Sequence, residues 1–212
     1  MKMQHPAKYS NNLLPIFDKY LPKSGKKILD PFAGTGKLRE IRPNCILLEI
    51  EPEWGNMSNA IIGDATNMPF EDSEFDAICT SPTYGNRMAD NFIDRQPRKN
   101  YKRHTYRHYL GRPLSTNNSG AMQWGNEYRN LHEQAWKESY RVLKQGGMFV
   151  LNISDHIRKG KVVKVSQWHE TFLKSLGFIV IEKILVKTKR QRQGQNGNIR
   201  VGYENVLVFV KR

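Results

Sequence analysis

Residues 26–36 read Lys26-Lys27-Ile28-Leu29-Asp30-Pro31-Phe32-Ala33-Gly34-Thr35-Gly36. The first five, KKILD, are a short apolar run that ends in an acid, the pattern of a buried strand. DPFAGTG follows directly. Its glycines let the chain turn at the strand's C-terminal end and let a ligand approach the backbone closely. A dinucleotide fingerprint needs a third glycine three residues after Gly36, and that position is Arg39. A phosphate loop needs Lys-Ser/Thr after its second glycine, and Gly36-Lys37-Leu38 fails that pattern too. Alone, such a loop also fits an ordinary strand-to-helix turn.

Outward from this loop the chain alternates. CILLEI (45–50), NAIIGD (59–64) and FDAICTSP (75–82) read as further short strands bounded by Gly, Pro or Asp. Upstream, NNLLPIFDKYL (11–21) reads as a helix with Pro15 in its first turn. Residues 128–144 place Leu131, Ala135, Trp136, Tyr140 and Leu143 at helical spacing, with Gly146 and Gly147 expected to close that helix. MFVLNIS (148–154) is a fifth strand, 165–176 a helix stopped at Gly177, and FIVIEKILVK (178–187) and ENVLVFV (204–210) are the sixth and seventh strands. Seven strands with intervening helices predict a three-layer α/β fold: a mostly parallel seven-stranded sheet with a C-terminal antiparallel hairpin. The expected organisation is one domain over 1–212. It is interrupted at about 85–127 by a polar, glycine- and proline-bearing insertion of a length that usually carries function.

At 212 residues and 38% hydrophobic content the chain can bury a core without disulfides or metals. No apolar run approaches a membrane span, and the start, MKMQHPAKYSNN, lacks the apolar stretch of a secretory signal. Cys45 and Cys79 sit in apolar runs and read as buried reduced thiols, so a cytoplasmic location is expected and no metal site. The net charge of +14 is segregated. Residues 1–80 hold 9 Lys/Arg and 11 Asp/Glu, whereas 81–212 hold 25 and 9. Solubility would not require that asymmetry, but a polyanionic partner would.

Two further strand ends carry acids on the face where α/β folds bind ligands. Glu49 closes the second strand, about twenty residues beyond the glycine loop, where a carboxylate can accept both ribose hydroxyls of a nucleoside. Asp64 closes the third and can accept from an adenine amino group. Glu51, before Pro52, reads as the cap of the next helix.

Together these segments resemble the class I S-adenosylmethionine-dependent methyltransferases over nearly the whole chain apart from residues 86–127. DPFAGTGKL resembles the family's glycine loop, LLEIEPEW its ribose-binding strand end, IIGDA its adenine-binding one, and KESYRVLKQGGMFVLNIS the helix and strand that follow its catalytic strand. The resemblance implies a Rossmann-like methyltransferase fold. It also implies S-adenosyl-L-methionine held by Asp30, Pro31, Phe32, Ala33, Gly34, Thr35, Gly36, Glu49, Ile50, Asp64, Ala65 and Ser81. His5-Pro6-Ala7-Lys8-Tyr9-Ser10 resembles the segment that closes over the cofactor in many DNA amino-methyltransferases.

The fourth strand ends Thr80-Ser81-Pro82-Thr83-Tyr84, which resembles the Ser/Asp/Asn-Pro-Pro-Tyr motif of enzymes that methylate exocyclic amino groups of bases. An aromatic amine is a poor nucleophile because its lone pair is spread into the ring. The resemblance implies that hydrogen bonds from the amine to the Ser81 hydroxyl oxygen and the Pro82 carbonyl favour a tetrahedral nitrogen, and that Tyr84 stacks on the extruded base. In the family, Ser at the first position is commoner for N4 of cytosine than for N6 of adenine. The family's second proline is Thr83 here, a departure expected to soften the turn. Carbon-5 methylation is disfavoured, because neither cysteine follows a proline and both are read within strands.

Basic residues of the insertion, Arg87, Arg95, Arg98, Lys99, Lys102, Arg103, Arg107 and Arg112, alternate with Tyr101, Tyr106, Tyr109, Trp124 and Tyr128. That mixture suits phosphate contact and base stacking. Lys187, Lys189, Arg190, Arg192 and Arg200 form a second cluster in the last hairpin. His104 and His108 lack a third ligand and are read as phosphate contacts rather than as a metal site. The expectation is a small DNA amino-methyltransferase of a type that bacteria or phages carry, acting on double-stranded DNA and possessing the option of a dimer. An RNA base amino-methyltransferase and a non-catalytic cofactor- and nucleic-acid-binding protein are the rivals, while Ser81 and the basic second part argue against methylation of a protein glutamine.

Overall fold

The structure is a computed structural model and describes residues 9–85, 106–188 and 199–212. In chain order the described elements are α1 (Leu14–Tyr20), β1 (Ile28–Asp30), β2 (Ile46–Glu49), α2 (Pro52–Ser58), β3 (Ile61–Ile62), β4 (Phe75–Thr80), α3 (Tyr106–Leu110), α4 (Asn126–Val142), β5 (Leu143–Ile153), β6 (His156–Arg158), β7 (Lys161–Val163), α5 (Val165–Ser175), β8 (Phe178–Lys187) and β9 (Tyr203–Lys211). Seven strands make one sheet in the order β3-β2-β1-β4-β5-β9-β8, parallel from β3 to β5 and antiparallel across β5-β9-β8. The expected parallel sheet with a C-terminal hairpin is therefore present.

Strand side chains alternate between two apolar clusters, as the two-residue period of a strand requires. Leu29, Leu48, Ile78, Phe149, Leu151, Leu207 and Phe209 point to one side. There they pack on Tyr128, Ala135 and Trp136 of α4 and on Val165 and Leu173 of α5. Ile28, Leu47, Ala77, Cys79, Val150, Val206 and Val208 point to the other, where Leu13, Phe17 and Leu21 along α1 cover them. Both faces of the central strands are buried, which explains why they read as continuous apolar runs, whereas Ile61 and Ile62 of β3 and Ile179, Ile181 and Leu185 of β8 at the two edges are exposed. Pro15 sits in the first turn of α1 as expected.

Two expectations are corrected, and one hairpin is added. Gly146 and Gly147 do not close α4. The helix passes directly into β5, and its last carbonyls are satisfied by other groups: the Lys211 ammonium donates to Tyr140 O at 2.6 Å and Leu143 O at 2.7 Å, and the Ser73 amide to Arg141 O at 2.9 Å. The glycines instead form an irregularity within β5, where the register jumps from Phe75↔Leu143 to Ala77↔Met148 and Gly146 takes a φ of +74°. The hairpin β6–β7 fills a stretch left unassigned between the fifth strand and α5. Cys45 lies just before β2 rather than in it, although both thiols are free and buried and burial pushes the Cys45 thiol up to about 12.

Candidate active site

The strand order reverses between β1 and β4, and a cavity opens at the carboxyl ends of those strands, the position where open α/β sheets bind ligands. Asp30 is 1% exposed at the end of β1. Its Oδ1 accepts from the Phe32 amide at 3.1 Å and the Thr80 hydroxyl at 2.8 Å, so it ties the glycine loop to the end of β4. Burial pushes its carboxyl up to about 6. Gly36 adopts a left-handed φ of +72°, and a Cβ there would lie 2.8 Å from Leu47 Cδ1 and 2.9 Å from Ser58 Cβ. Only glycine fits both constraints.

Glu49 reaches from the end of β2. One carboxylate oxygen accepts from the Gly34 amide at 2.7 Å and the other from the Glu51 amide at 2.9 Å. Burial pushes this carboxyl up to about 7. Each oxygen keeps acceptor capacity beyond its one backbone donor, so a vicinal diol entering the cavity meets two acceptors already aimed and largely stripped of water. Glycine-loop residues Pro31, Phe32, Ala33, Gly34 and Thr35 line the same cavity, as do Glu49, Ile50, Asp64, Ala65 and Ser81. Of the residues expected at the cofactor, Asp30 and Gly36 do not line it; they shape the loop from behind.

The expectation for Glu51 fails. Its backbone stands at the start of α2, but its side chain makes no capping bond and is fully buried elsewhere. Oε1 accepts from the Ser115 amide at 2.7 Å and Asn118 Nδ2 at 2.8 Å. Oε2 accepts from Arg112 at 2.7 Å and the Ser115 hydroxyl at 3.0 Å. Arg112 also grips Glu53 through Nε at 2.8 Å. Residues 112–118 are thus a strap held down on α2. Next to it Asn117 Nδ2 donates to Asp64 Oδ2 at 2.7 Å, the kind of amino-to-carboxylate bond read from the sequence for an adenine. Asn117, Asn118 and Ser119 join the cavity lining, a contribution nothing in the local sequence pattern signalled.

Ser81, Pro82, Thr83 and Tyr84 all line the cavity from the end of β4. Thr83 is not slack: its carbonyl accepts from the Tyr128 hydroxyl at 2.7 Å, and its own hydroxyl donates to Ser119 Oγ at 2.9 Å. Tyr128 Oη in turn lies 3.1 Å from His169 Nε2. Burial holds His169 well below the usual histidine range and His132 down at about 4, so the turn rests on neutral groups. On its inner side Asn152 Nδ2 lies 3.0 Å from Ser81 Oγ and 2.9 Å from both Tyr84 Oη and Glu204 Oε2. Neither cysteine lines the cavity.

Two aromatics and one cation expected at nucleic acid pack against the protein itself, and a third aromatic, Tyr106, is buried in the cavity wall. Tyr106 and Tyr128 are buried, Trp124 packs on Tyr128 and Trp168, and Arg112 is committed to Glu51 and Glu53. Lys187 and Arg200 are exposed. Arg87, Arg95, Arg98, Lys99, Lys102, Arg103, Lys189, Arg190 and Arg192, the side chain of Arg107, His104, the side chain of His108 and residues 5–8 lie outside the described residues. Tyr9 is described and lines the cavity. Among the described residues no cluster of three His, Cys, Asp or Glu side chains could hold a metal, and no helix is long and apolar enough to cross a membrane.

Solved structures share this architecture. The YcgJ protein of Bacillus subtilis is 14% identical, with a TM-score of 0.58 over 96% of this chain and 99% of that one. A protein of Methanosarcina mazei described among SAM-dependent methyltransferases is 14% identical, with a TM-score of 0.57 over 93% and 97%. The PH0226 protein of Pyrococcus horikoshii is 16% identical, with a TM-score of 0.57 over 94% and 88%. These likenesses carry the fold. No curated protein matches the chain. A family model described as a DNA methylase, N6_N4_Mtase, matches residues 75–212. That span runs from the strand bearing Ser81-Pro82-Thr83-Tyr84 through the strap to Asn152 and Glu204, well over half of the sequence, and by it the chain belongs to the DNA methylase family.

Proposed function

We propose that this chain methylates an exocyclic amino group of a base in double-stranded DNA, N4 of cytosine in preference to N6 of adenine. The methyl donor is S-adenosylmethionine, which when bound supplies an electrophilic methyl group on a sulfonium. The observation that carries the reading is that the Ser81-Pro82-Thr83-Tyr84 turn and the Phe32–Thr35 loop with Glu49 line one cavity. Amine-binding and cofactor-binding chemistry therefore share a space. The Ser81 hydroxyl oxygen and the Pro82 carbonyl accept the two amine hydrogens and favour a tetrahedral nitrogen, and the Tyr84 ring stacks on the flipped base. Pro31–Thr35, Glu49, Ile50, Asp64 and Ala65 hold the donor, with Glu49 on the ribose and Asp64 on the adenine amino group. The preference for cytosine rests on serine at position 81.

The decisive experiment is transfer of a labelled methyl group to duplex DNA and to RNA, followed by mass spectrometry of the nucleosides. N4-methylcytosine from DNA is expected. N6-methyladenine would overturn the base assignment, and label confined to RNA would move the substrate.

Replacing Glu49 by Ala should weaken the cofactor by about 1–3 kcal/mol, because two hydrogen bonds from the ribose lose their acceptors. The pH dependence has a definite sign. With the carboxyl pushed up to about 7, Glu49 takes up a proton as the pH falls through that value and loses acceptor capacity. Affinity should therefore fall on the acid side of pH 7, toward about tenfold per pH unit, and Glu49→Gln should be flat there. Calorimetry across pH 5.5–8.5, an experimental window of roughly three units around that value, tests both.

Phosphate contact is assigned to Arg87, Arg95, Arg98, Lys99, Lys102, Arg103, Arg107, Lys189, Arg190 and Arg192. Binding to duplex DNA should weaken steeply with salt, at a log–log slope of about −0.9 per neutralised phosphate. Neutralising Lys99, Lys102 and Arg103 together should flatten that slope in a filter-binding titration. A slope near zero in the wild type would remove these residues from any nucleic-acid surface.

A further inference from the structure

Glu204 stands behind the amine-binding turn and belongs to none of the groups assigned above. It lies on β9 of the C-terminal hairpin, is 4% exposed, and lines the cavity. Its Oε2 accepts from Tyr84 Oη at 3.4 Å and from Asn152 Nδ2 at 2.9 Å. Tyr84 Oη is in turn 3.3 Å from Ser81 Oγ. A chain of hydroxyls thus runs from the residue assigned to the amine to a buried carboxylate 120 positions away from Tyr84 in sequence.

The chemistry of the carboxylate gives that chain a direction. An ionised carboxylate only accepts. Tyr84 Oη donates to Glu204 Oε2, and with its proton placed there a phenolic lone pair can accept from the Ser81 hydroxyl. Ser81 then presents a lone pair outward, the form in which it can accept a hydrogen from an amine. Asn152 has two N–H bonds for three neighbouring acceptors, Ser81 Oγ, Tyr84 Oη and Glu204 Oε2, so it holds the three oxygens together without supplying a proton sink. A flipped base that fills the cavity also displaces the water that would otherwise carry a proton away.

We propose that Glu204 receives the proton lost by the target amine, relayed through the hydroxyls of Ser81 and Tyr84. The proposal rests on the amino-methylation reading. As the amine nitrogen bonds to the methyl carbon, the carbon–sulfur bond breaks and its electron pair stays on sulfur. The nitrogen, now cationic, gives a proton to Ser81 Oγ; the Ser81 proton moves to Tyr84 Oη, and the Tyr84 proton to Glu204 Oε2. The products are a neutral thioether, a neutral methylamine and a protonated Glu204, which is deprotonated by solvent after the base leaves. Because the methylated amine is strongly acidic before it loses its proton, a carboxylate is a sufficient acceptor. Glu204 acts through Tyr84 and Ser81, and it also sets which way their hydroxyls face.

The test uses the full chain, single-turnover methyl transfer to a duplex with one target base, and binding measurements for cofactor and DNA. Glu204→Gln keeps the size and an acceptor oxygen for Asn152 but takes no proton. It should lower the transfer rate by about 10²-fold while both affinities stay near wild type. Glu204→Asp, which restores a carboxylate, should recover part of that loss. Tyr84→Phe keeps the stacking ring and cuts the relay, and should lower the rate with DNA affinity retained. Should Glu204→Gln fold poorly, Tyr84→Phe decides alone. Wild-type rates in Glu204→Gln or in Tyr84→Phe overturn the relay while leaving amino-methylation standing. A wild type that transfers no methyl group to a base amine overturns both.

Discussion

Ser81→Ala is expected to lower the turnover of methyl transfer by about 10²–10³-fold, the usual cost of removing one preorganised group from the reacting centre. Ser81 lines the cavity from the end of β4, and its oxygen is fixed by two neighbours, Asn152 Nδ2 at 3.0 Å and Tyr84 Oη at 3.3 Å. A methyl group in its place can neither accept the amine hydrogen nor pass it on. The amine hydrogen bond strengthens as the nitrogen becomes tetrahedral, so the loss should fall on kcat more than on KM. Tyr84→Ala is expected to act on binding as well as on rate. It removes the hydroxyl and, with the ring, about 1–3 kcal/mol of base stacking, so productive DNA binding should weaken while cofactor affinity is kept. Steady-state kinetics on a duplex with one target cytosine separates the two. If both variants kept wild-type turnover and substrate affinity, the chemistry would lie elsewhere.

Glu51→Ala should be the most destabilising single substitution at the site, by about 3–5 kcal/mol. The carboxylate is fully buried and accepts four hydrogen bonds from Arg112, Ser115 and Asn118. Its removal leaves the Asn118 amide group and the Ser115 backbone N–H buried or half-buried without that acceptor, and leaves Arg112 with Glu53 and the Pro113 carbonyl. The strap over 112–118 should then loosen and release Asn117 from Asp64. Denaturant unfolding of wild type and variant measures the first effect. Faster proteolysis within the strap, with the sheet still protected, reads the second. A change below about 1 kcal/mol would place the strap outside the stable body of the fold.

The turn at Thr83 shows where local reading stops. In sequence, a threonine in place of a second proline predicts a softer turn, since proline alone fixes a backbone angle. In the folded chain that angle is held from outside, by Tyr128 on the carbonyl and Ser119 on the hydroxyl. These partners lie 45 and 36 residues further along the chain. Introducing proline would remove the Ser119 bond, so restoring the family pattern is not neutral here. Gly146 and Gly147 make the same point for an element boundary. Two glycines after a helix are a sound local stop signal, but Lys211, on the last strand, already reaches the Tyr140 carbonyl in the last turn and the Leu143 carbonyl just beyond it, and the glycines are spent on an irregularity in β5.

The sequence by itself determined the sheet, the glycine loop, the acids at the ends of β2 and β3, and the Ser81–Tyr84 turn. The first three follow from short-range rules, apolar runs of strand length, glycine where the backbone must turn and an acid where a strand ends, and the turn was legible through its resemblance to a family motif. Only the tertiary structure decided what Glu51 does, that Trp124 and Tyr128 pack against α5 and the Thr83 carbonyl while Tyr106 is buried in the cavity wall, and that Asn152 and Glu204 stand behind the Ser81–Tyr84 turn. Those assignments depend on partners that come together when the strap folds back on α2 and when β9 inserts beside β5. A carboxylate's role is set by which donors surround it once water has been excluded, and nothing in the few residues on either side of Glu51 or Glu204 encodes those donors.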